Sequence, residues 1–193
     1  SFSDGGKFNN YKKAINHISN MIKAGAKIID VGGESTRPGS ETVSSKMEWN
    51  RIKKIIQNFK KKNKKTCLSI DTRKSEVMVE GMKHGVDIIN DVSGFNYDDL
   101  SLPRMEKHQV AKVLHHMQGT PNTMQKNPKY KNVLLDIYDF FEKGVGNINS
   151  KKIIIDPGIG FGKNLKHNLT LISKISLFHS LGFPILIGTS RKR

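Results

Sequence analysis

A chain of 193 residues has room for one domain or two small ones, and its 36% hydrophobic content comes in tight runs. None approaches the ~18 consecutive apolar residues of a membrane-spanning helix, so no membrane is expected as a partner. The formal charge of +16 raises nucleic-acid binding as a reading. Against it, most of the basic residues are lysines, and the densest run, KKKNKK at 60–65, follows the amphipathic stretch from Met47 to Phe59 as a solvated helix end would. The aromatics are sparse and not interleaved with the cations as a base-stacking platform requires, so no nucleic-acid partner is expected. The single cysteine, Cys67, leaves no internal disulfide, which fits a reducing compartment and a cytoplasmic protein.

The elements follow one pattern along the chain. A helix is predicted over 8–24, then a buried strand in AKIIDVGG (26–33) and the loop GGESTRPGS (32–40). Next come a helix over 44–62, with Ser44 able to cap it, and the strand CLSIDT (67–72). A helix over 73–84 leads to VDIINDVSG (86–94), and one over 98–108 leads to VAKVLHHM (110–117). The last predicted pairs are a helix over 131–144 with KIIIDPG (152–158), and a helix over 165–181 with FPILIGTS (183–190). The six strand runs are continuously apolar rather than alternating, as buried parallel strands are.

Strand–helix alternation predicts an α/β fold with a parallel sheet, either an open doubly wound sheet or a closed barrel. The strand ends decide between them. Each run finishes on polar chemistry: Asp30 to Glu34, Asp71 to Arg73, Asn90 and Asp91, His115 and His116, Asp156, and Ser190 to Lys192. An open sheet concentrates function at one switch point, whereas a (β/α)8 TIM barrel builds its site from the tops of many strands. A complete barrel takes ~250 residues. The expectation is therefore one barrel domain over 1–193, incomplete, with about six of eight strands present. The first strand, and the last helix pair with the eighth strand, would be the missing parts.

The glycines of IDPGIGFGK (155–163) suggest a phosphate loop, but the spacing fails. A Walker loop would need glycine at Pro157 and Ser or Thr at Asn164, and a dinucleotide fingerprint would need glycine at Lys163. What remains is Asp156 at a strand end on a Pro-Gly turn, and a carboxylate there is costly to bury unless it is paired or faces a ligand. Asp30, Asp71 and Asn90 repeat the arrangement. Converging at one mouth, these groups would accept hydrogen bonds from the N–H groups of a flat nitrogen heterocycle, and Asn90 could also donate. Thr36 and Arg37, ahead of Pro38, offer a hydroxyl and a guanidinium to an anion such as pyrophosphate. SRKR (190–193) is a second cationic cluster beyond a strand. His115 and His116 do not make a metal pair, because neighbouring strand residues point to opposite faces. Met117 reads as pocket lining or packing.

SFSDGG, DVGGESTRPGS, SIDTRK, IINDVSG, HHMQGTPNTMQ, IDPGIGFGK and GTSRK, in this order and spacing along the whole chain, resemble successive blocks of the dihydropteroate synthases, pterin-binding TIM barrels. The compact loops are similar to the bacterial type. The resemblance implies a transferase of folate biosynthesis, the sulfonamide target, which condenses 6-hydroxymethyl-7,8-dihydropterin diphosphate with 4-aminobenzoate to give 7,8-dihydropteroate and pyrophosphate. It implies that Asp71, Asn90, Met117, Asp156 and Lys192 bind the pterin, with Asp71 and Lys192 catalytic. It places Thr36 and Arg37 on the diphosphate, and Phe2, Thr36, Pro38, Phe161 and Lys192 around the aminobenzoate. It further implies Mg2+ held mainly through the diphosphate, with its protein ligand in the missing first strand and none within this chain, and a homodimer at full length. Two rival readings are a pterin-binding methyltetrahydrofolate methyltransferase barrel, which would lack the SFSDGG and STRPGS blocks, and a non-enzymatic basic RNA-binding protein.

Overall fold

Five of the six apolar runs form parallel strands: β1 (Ile28–Gly32), β2 (Cys67–Asp71), β3 (Ile88–Asp91), β4 (Ala111–His115) and β5 (Ile153–Asp156). The structure, a computed structural model, describes residues 11–36, 40–120, 123–148 and 150–189. Between the strands lie α1 (Tyr11–Lys23), α2 (Ser45–Lys62), α3 (Ser75–Lys83), α4 (Ser101–Met105), α5 (Val133–Asn147) and α6 (Leu165–Ser173), with a 3-10 helix over Ile175–Leu181. No helix among the described residues is long and apolar enough to cross a membrane.

Each strand pairs in parallel with the next one in sequence, in the order β1-β2-β3-β4-β5. A doubly wound sheet reverses its strand order at a switch point. No reversal occurs here, so the sheet is a wall of a barrel and not an open Rossmann-type sheet. The sixth run continues the same order as a single parallel bridge, Ile155 to Ile185. Ile155 N–H donates to the Pro184 carbonyl, and Leu186 N–H donates to the Ile155 carbonyl. Pro184 has no N–H of its own, so the ladder starts thin there.

The register separates two faces. Ile70 pairs with Ile89, and Leu114 with Ile155, on the face that the helices cover. These side chains join one core with Ile52, Ile56 and Phe59 of α2 and Ile137 and Phe141 of α5. Helix α2 reads this face at helical spacing, with Glu48, Ile52, Ile55, Ile56 and Phe59 all buried. Ser44 caps it, its hydroxyl accepting from Met47 N–H at 3.2 Å. Asn132 caps α5 through the N–H groups of Leu134 and Leu135.

Two predicted helices differ from expectation. The segment at 98–108 shrinks to the five residues of α4, with Pro103 inside its first turn, where the missing N–H costs no helical bond. The segment at 165–181 divides at Lys174 into α6 and the 3-10 helix, which ends on Gly182 in the left-handed conformation.

Candidate active site

In a parallel ladder, paired residues lie at one level and face the same way, and residues two apart on a strand share a face. Asp71 pairs with Asn90, Asn90 with Val113, and His115 with Asp156. Asp30 pairs with Ser69, two residues before Asp71. Asp30, Asp71, Asn90, His115 and Asp156 therefore all project from the uncovered face, Asp30 from the middle of β1 and the others at or next to the C-terminal ends of the four strands that follow. That face is where a barrel carries its chemistry.

The first three form one polar unit. Asn90 donates Nδ2 to Asp30 Oδ2 at 3.1 Å. Asn90 Oδ1 is buried and has no hydrogen-bond partner among the described residues, so an acceptor is left unsatisfied on this face. Asp30 keeps contact with solvent, yet the surrounding wall crowds it enough to raise its pKa against the hydrogen bonds from Ser69 and Asn90. Burial pushes the Asp71 carboxyl well above the usual carboxylate range, and the negative charge of Asp30 pushes it further. Two acids that resist ionising together form a site poised for a cation or for a row of N–H donors. Behind them, on the covered face, burial raises Asp91 to about 6 although Ser93 donates to it through both N–H and hydroxyl.

Asp156 is held from two directions. Gly158 N–H donates to Oδ1 at 2.8 Å, and His115 Nδ1 lies 3.2 Å from Oδ2. The Phe161 ring meets the His115 ring edge-on at 4.7 Å. Phe161 is buried in a small apolar cluster with Val92 and Met124, and half-buried Met117 packs against it. Met117 thus packs with Phe161, whose ring meets the histidine that holds Asp156. His116 points the other way, toward Phe140 of α5 and Lys163. Adjacent histidines do serve opposite faces, and among the described residues no cluster of three or more histidines, cysteines and carboxylates could hold a metal ion.

The loop after β1 is anchored by charge. Glu34 accepts from Arg73 Nε at 2.8 Å and from Val43 N–H at 3.1 Å, and it pairs with Lys74 Nζ at 2.8 Å. Burial works to raise the Glu34 pKa, but the Arg73 and Lys74 hydrogen bonds outweigh it and hold the carboxyl below its ordinary value. Lys74 also reaches Glu48 of α2 at 2.6 Å. Arg51 donates to the Gly33 carbonyl at 2.9 Å. Gly33 itself is required by contact, since a Cβ there would lie 2.6 Å from the Glu48 carbonyl oxygen. Just beyond this anchor, Thr36 is buried, and its hydroxyl has no hydrogen-bond partner among the described residues.

The structure therefore brings Asp71, Asn90 and Asp156 to one face, with Phe161 against His115 and Met117 packed on the Phe161 cluster, and sets Thr36 on the anchored loop. Phe2, Arg37, Pro38 and Lys192 lie outside the described residues. Sequence reasoning missed His115 as a partner of Asp156, and missed the Glu34–Lys74–Glu48 anchor. A signal for the second was available: Glu48 interrupts the apolar stripe of α2, and a buried acid requires a cation.

The whole chain, residues 1–193, matches the family of pterin binding enzymes. The dihydropteroate synthase of Escherichia coli (strain K12) is 41% identical over 197 residues, spanning 100% of this chain and 69% of that protein. The crystal structure of the Yersinia pestis dihydropteroate synthase with a sulfonamide drug complex is similar with a TM-score of 0.94 at 39% identity, over 100% of this chain and 71% of that one. The Clostridium difficile dihydropteroate synthase, crystallised in the presence of pteroic acid, is similar with a TM-score of 0.86 at 38% identity, over 99% of this chain and 72% of that one. Sequence, fold and strand-end chemistry agree: the chain belongs to the pterin-binding enzymes and, within them, to the dihydropteroate synthases.

Proposed function

We propose that the rim of Asp71, Asn90 and Asp156 binds the pterin ring of 6-hydroxymethyl-7,8-dihydropterin diphosphate, and that the chain joins it to 4-aminobenzoate. The observation that carries this reading is the row of acceptors on one face at successive strand ends, with Asn90 Oδ1 buried and unpartnered among the described residues. A flat heterocycle rich in N–H groups satisfies such a row, and Met117 beside it supplies an apolar wall. Thr36 and Arg37 meet the diphosphate, while Phe2, Thr36, Pro38, Phe161 and Lys192 border the aminobenzoate.

In this reading the C–O bond to diphosphate breaks first and leaves a cation at the pterin methylene. The neutral aniline nitrogen then attacks, the C–N bond forms, and the nitrogen loses a proton. Asp71 stabilises the cationic ring by charge, and Lys192 contacts the pterin carbonyl and ring nitrogen. Mg2+ would be held mainly through the diphosphate oxygens. When bound, the ion neutralises the departing phosphate oxygens. Titration of the full-length protein with the pterin diphosphate tests the site. Asn90→Ala is expected to weaken binding by about 10- to 100-fold through the loss of hydrogen bonds to the ring. Unchanged affinity would remove Asn90 from the site, and no pterin-dependent condensation by the parent protein would end the reading.

The reading includes a homodimer. Helix α6 exposes Leu165 (74%), Leu169 (59%) and Ile172 (45%), a stripe at helical spacing that no described element covers. Leu169→Glu is expected to halve the mass measured by sedimentation of the full-length protein. A parent protein that sediments as a monomer would refute the dimer.

A further inference from the structure

We infer that the adjacent histidines of β4 form a two-sided clasp across the β5–α6 loop, His115 holding Asp156 at the end of β5 and His116 holding Lys163 just before α6. Through this clasp they act as positioning residues for the Asp156 carboxylate and the Phe161 ring. The positioning half of the inference rests on the pterin reading, and the clasp itself does not.

On the open face, the Asp156 carboxylate receives Gly158 N–H on one oxygen and His115 on the other. Two contacts from different directions fix the plane of a carboxylate, whereas one leaves it free to rotate. The His115 ring is itself held, only 3% exposed and edge-on to Phe161. On the covered face, Lys163 Nζ lies 3.0 Å from His116 Nδ1 and donates to the Phe161 carbonyl at 2.9 Å and the His116 carbonyl at 3.3 Å. Three acceptors meet the three protons of the ammonium group. This arrangement requires a neutral imidazole with its lone pair on Nδ1. Burial, reinforced by the charges of Lys163 and His115, lowers His116 to about 2 and keeps it so. The His116 ring cannot swing away, since Phe140 of α5 meets it edge-on at 4.9 Å.

Between the two histidines the loop lies directly on the end of β4. A Cβ on Gly158 would overlap the His116 carbonyl oxygen, and one on Gly162 would lie 2.6 Å from the Gln118 carbonyl oxygen. Both glycines have positive φ, +66° and +62°, so the close approach and the turn demand the same residue. The loop thus has little slack. A shift of ~1 Å at a positioned group is enough to cost about 100-fold in a reaction.

The test uses the full-length protein and two independent readouts. Hydrogen exchange at the amides of 158–163 reports the clasp. His116→Leu and Lys163→Met are each expected to speed it by about tenfold or more, and the double variant by no more than either alone, because both remove one linked interaction. If Lys163→Met does not fold, Lys163→Arg, which keeps the charge but spreads the donors, is expected to speed exchange in the same segment. Pterin titration reports positioning. His115→Leu is expected to weaken binding about tenfold and, because its ring also props Phe161, to raise the KM for aminobenzoate at saturating pterin. His115→Asn, which retains a donor, is expected to recover part of the loss. Loop exchange and pterin affinity that stay at parental values while only the unfolding temperature falls would overturn the inference and leave the histidines as core filling. Faster loop exchange in variants of a parent that binds no pterin would uphold the clasp and defeat the pterin reading instead.

Discussion

Asp71→Asn is expected to lower turnover of the full-length enzyme by about two to three orders of magnitude and, at the same time, to stabilise the folded protein at neutral pH. The two effects share one cause. Asp71 sits half-buried beside Asp30, and desolvation by the wall and the neighbouring charge both favour its protonated form in the folded state. Its folded pKa lies above its unfolded value near 3.8, so between the two the native protein binds more protons than the unfolded chain. Stability contributed by this group is then present at low pH and is lost as pH rises through the folded pKa. Asparagine removes that loss, so the variant gains on the parent as pH increases. It also removes a group that can ionise as positive charge develops on the pterin. Urea unfolding at pH 4 and pH 8, with single-turnover kinetics alongside, checks both halves. Near-normal turnover would refute the electrostatic role, and a variant less stable than the parent at pH 8 would refute the assigned strain.

Lys74→Met carries the largest expected stability effect. Lys74 is 6% exposed and stands between Glu34, 4% exposed, and Glu48, fully buried. Arg73 still serves Glu34 in the variant. Glu48 is left without a cation, and its other oxygen, Oε1, is buried with no hydrogen-bond partner among the described residues. Removing one member of a buried ionic group costs about 3–5 kcal/mol, because the remaining charge stays desolvated. Adding Glu48→Gln to Lys74→Met should return much of that loss, and this recovery separates charge from packing. Denaturant midpoints of the two single variants and the double variant decide the matter: a loss under about 1 kcal/mol for Lys74→Met would place the network among weak surface pairs.

The strands and most helices were legible because burial on both faces writes itself as unbroken apolar runs, and Ser44 announced the start of α2. The barrel-type order was legible from chemistry rather than periodicity, since polar residues closed every run. The break at Lys174 was not legible, because the sequence on either side of it keeps the same apolar spacing. Asp71, Asn90 and Asp156 were legible as isolated strand-end residues. Their common face depends on register, Asp71 with Asn90 and His115 with Asp156, and register between strands a whole helix apart is fixed by packing that no local window contains. The same limit hid the role of Lys163. Its spacing excluded a Walker lysine, but its two acceptors on His116 lie 47 positions earlier in the chain.

The uninterrupted strand order has a consequence for how the chain reaches this state. Among the described strands each finds its partner in the strand just before it, so none of these pairings waits for a distant segment to arrive. Assembly can proceed by accretion, each new strand docking on an edge already in place as the polypeptide emerges from synthesis, N-terminal units first. The exposed edge then moves forward with the growing chain, and its unpaired amides are covered within one further βα unit.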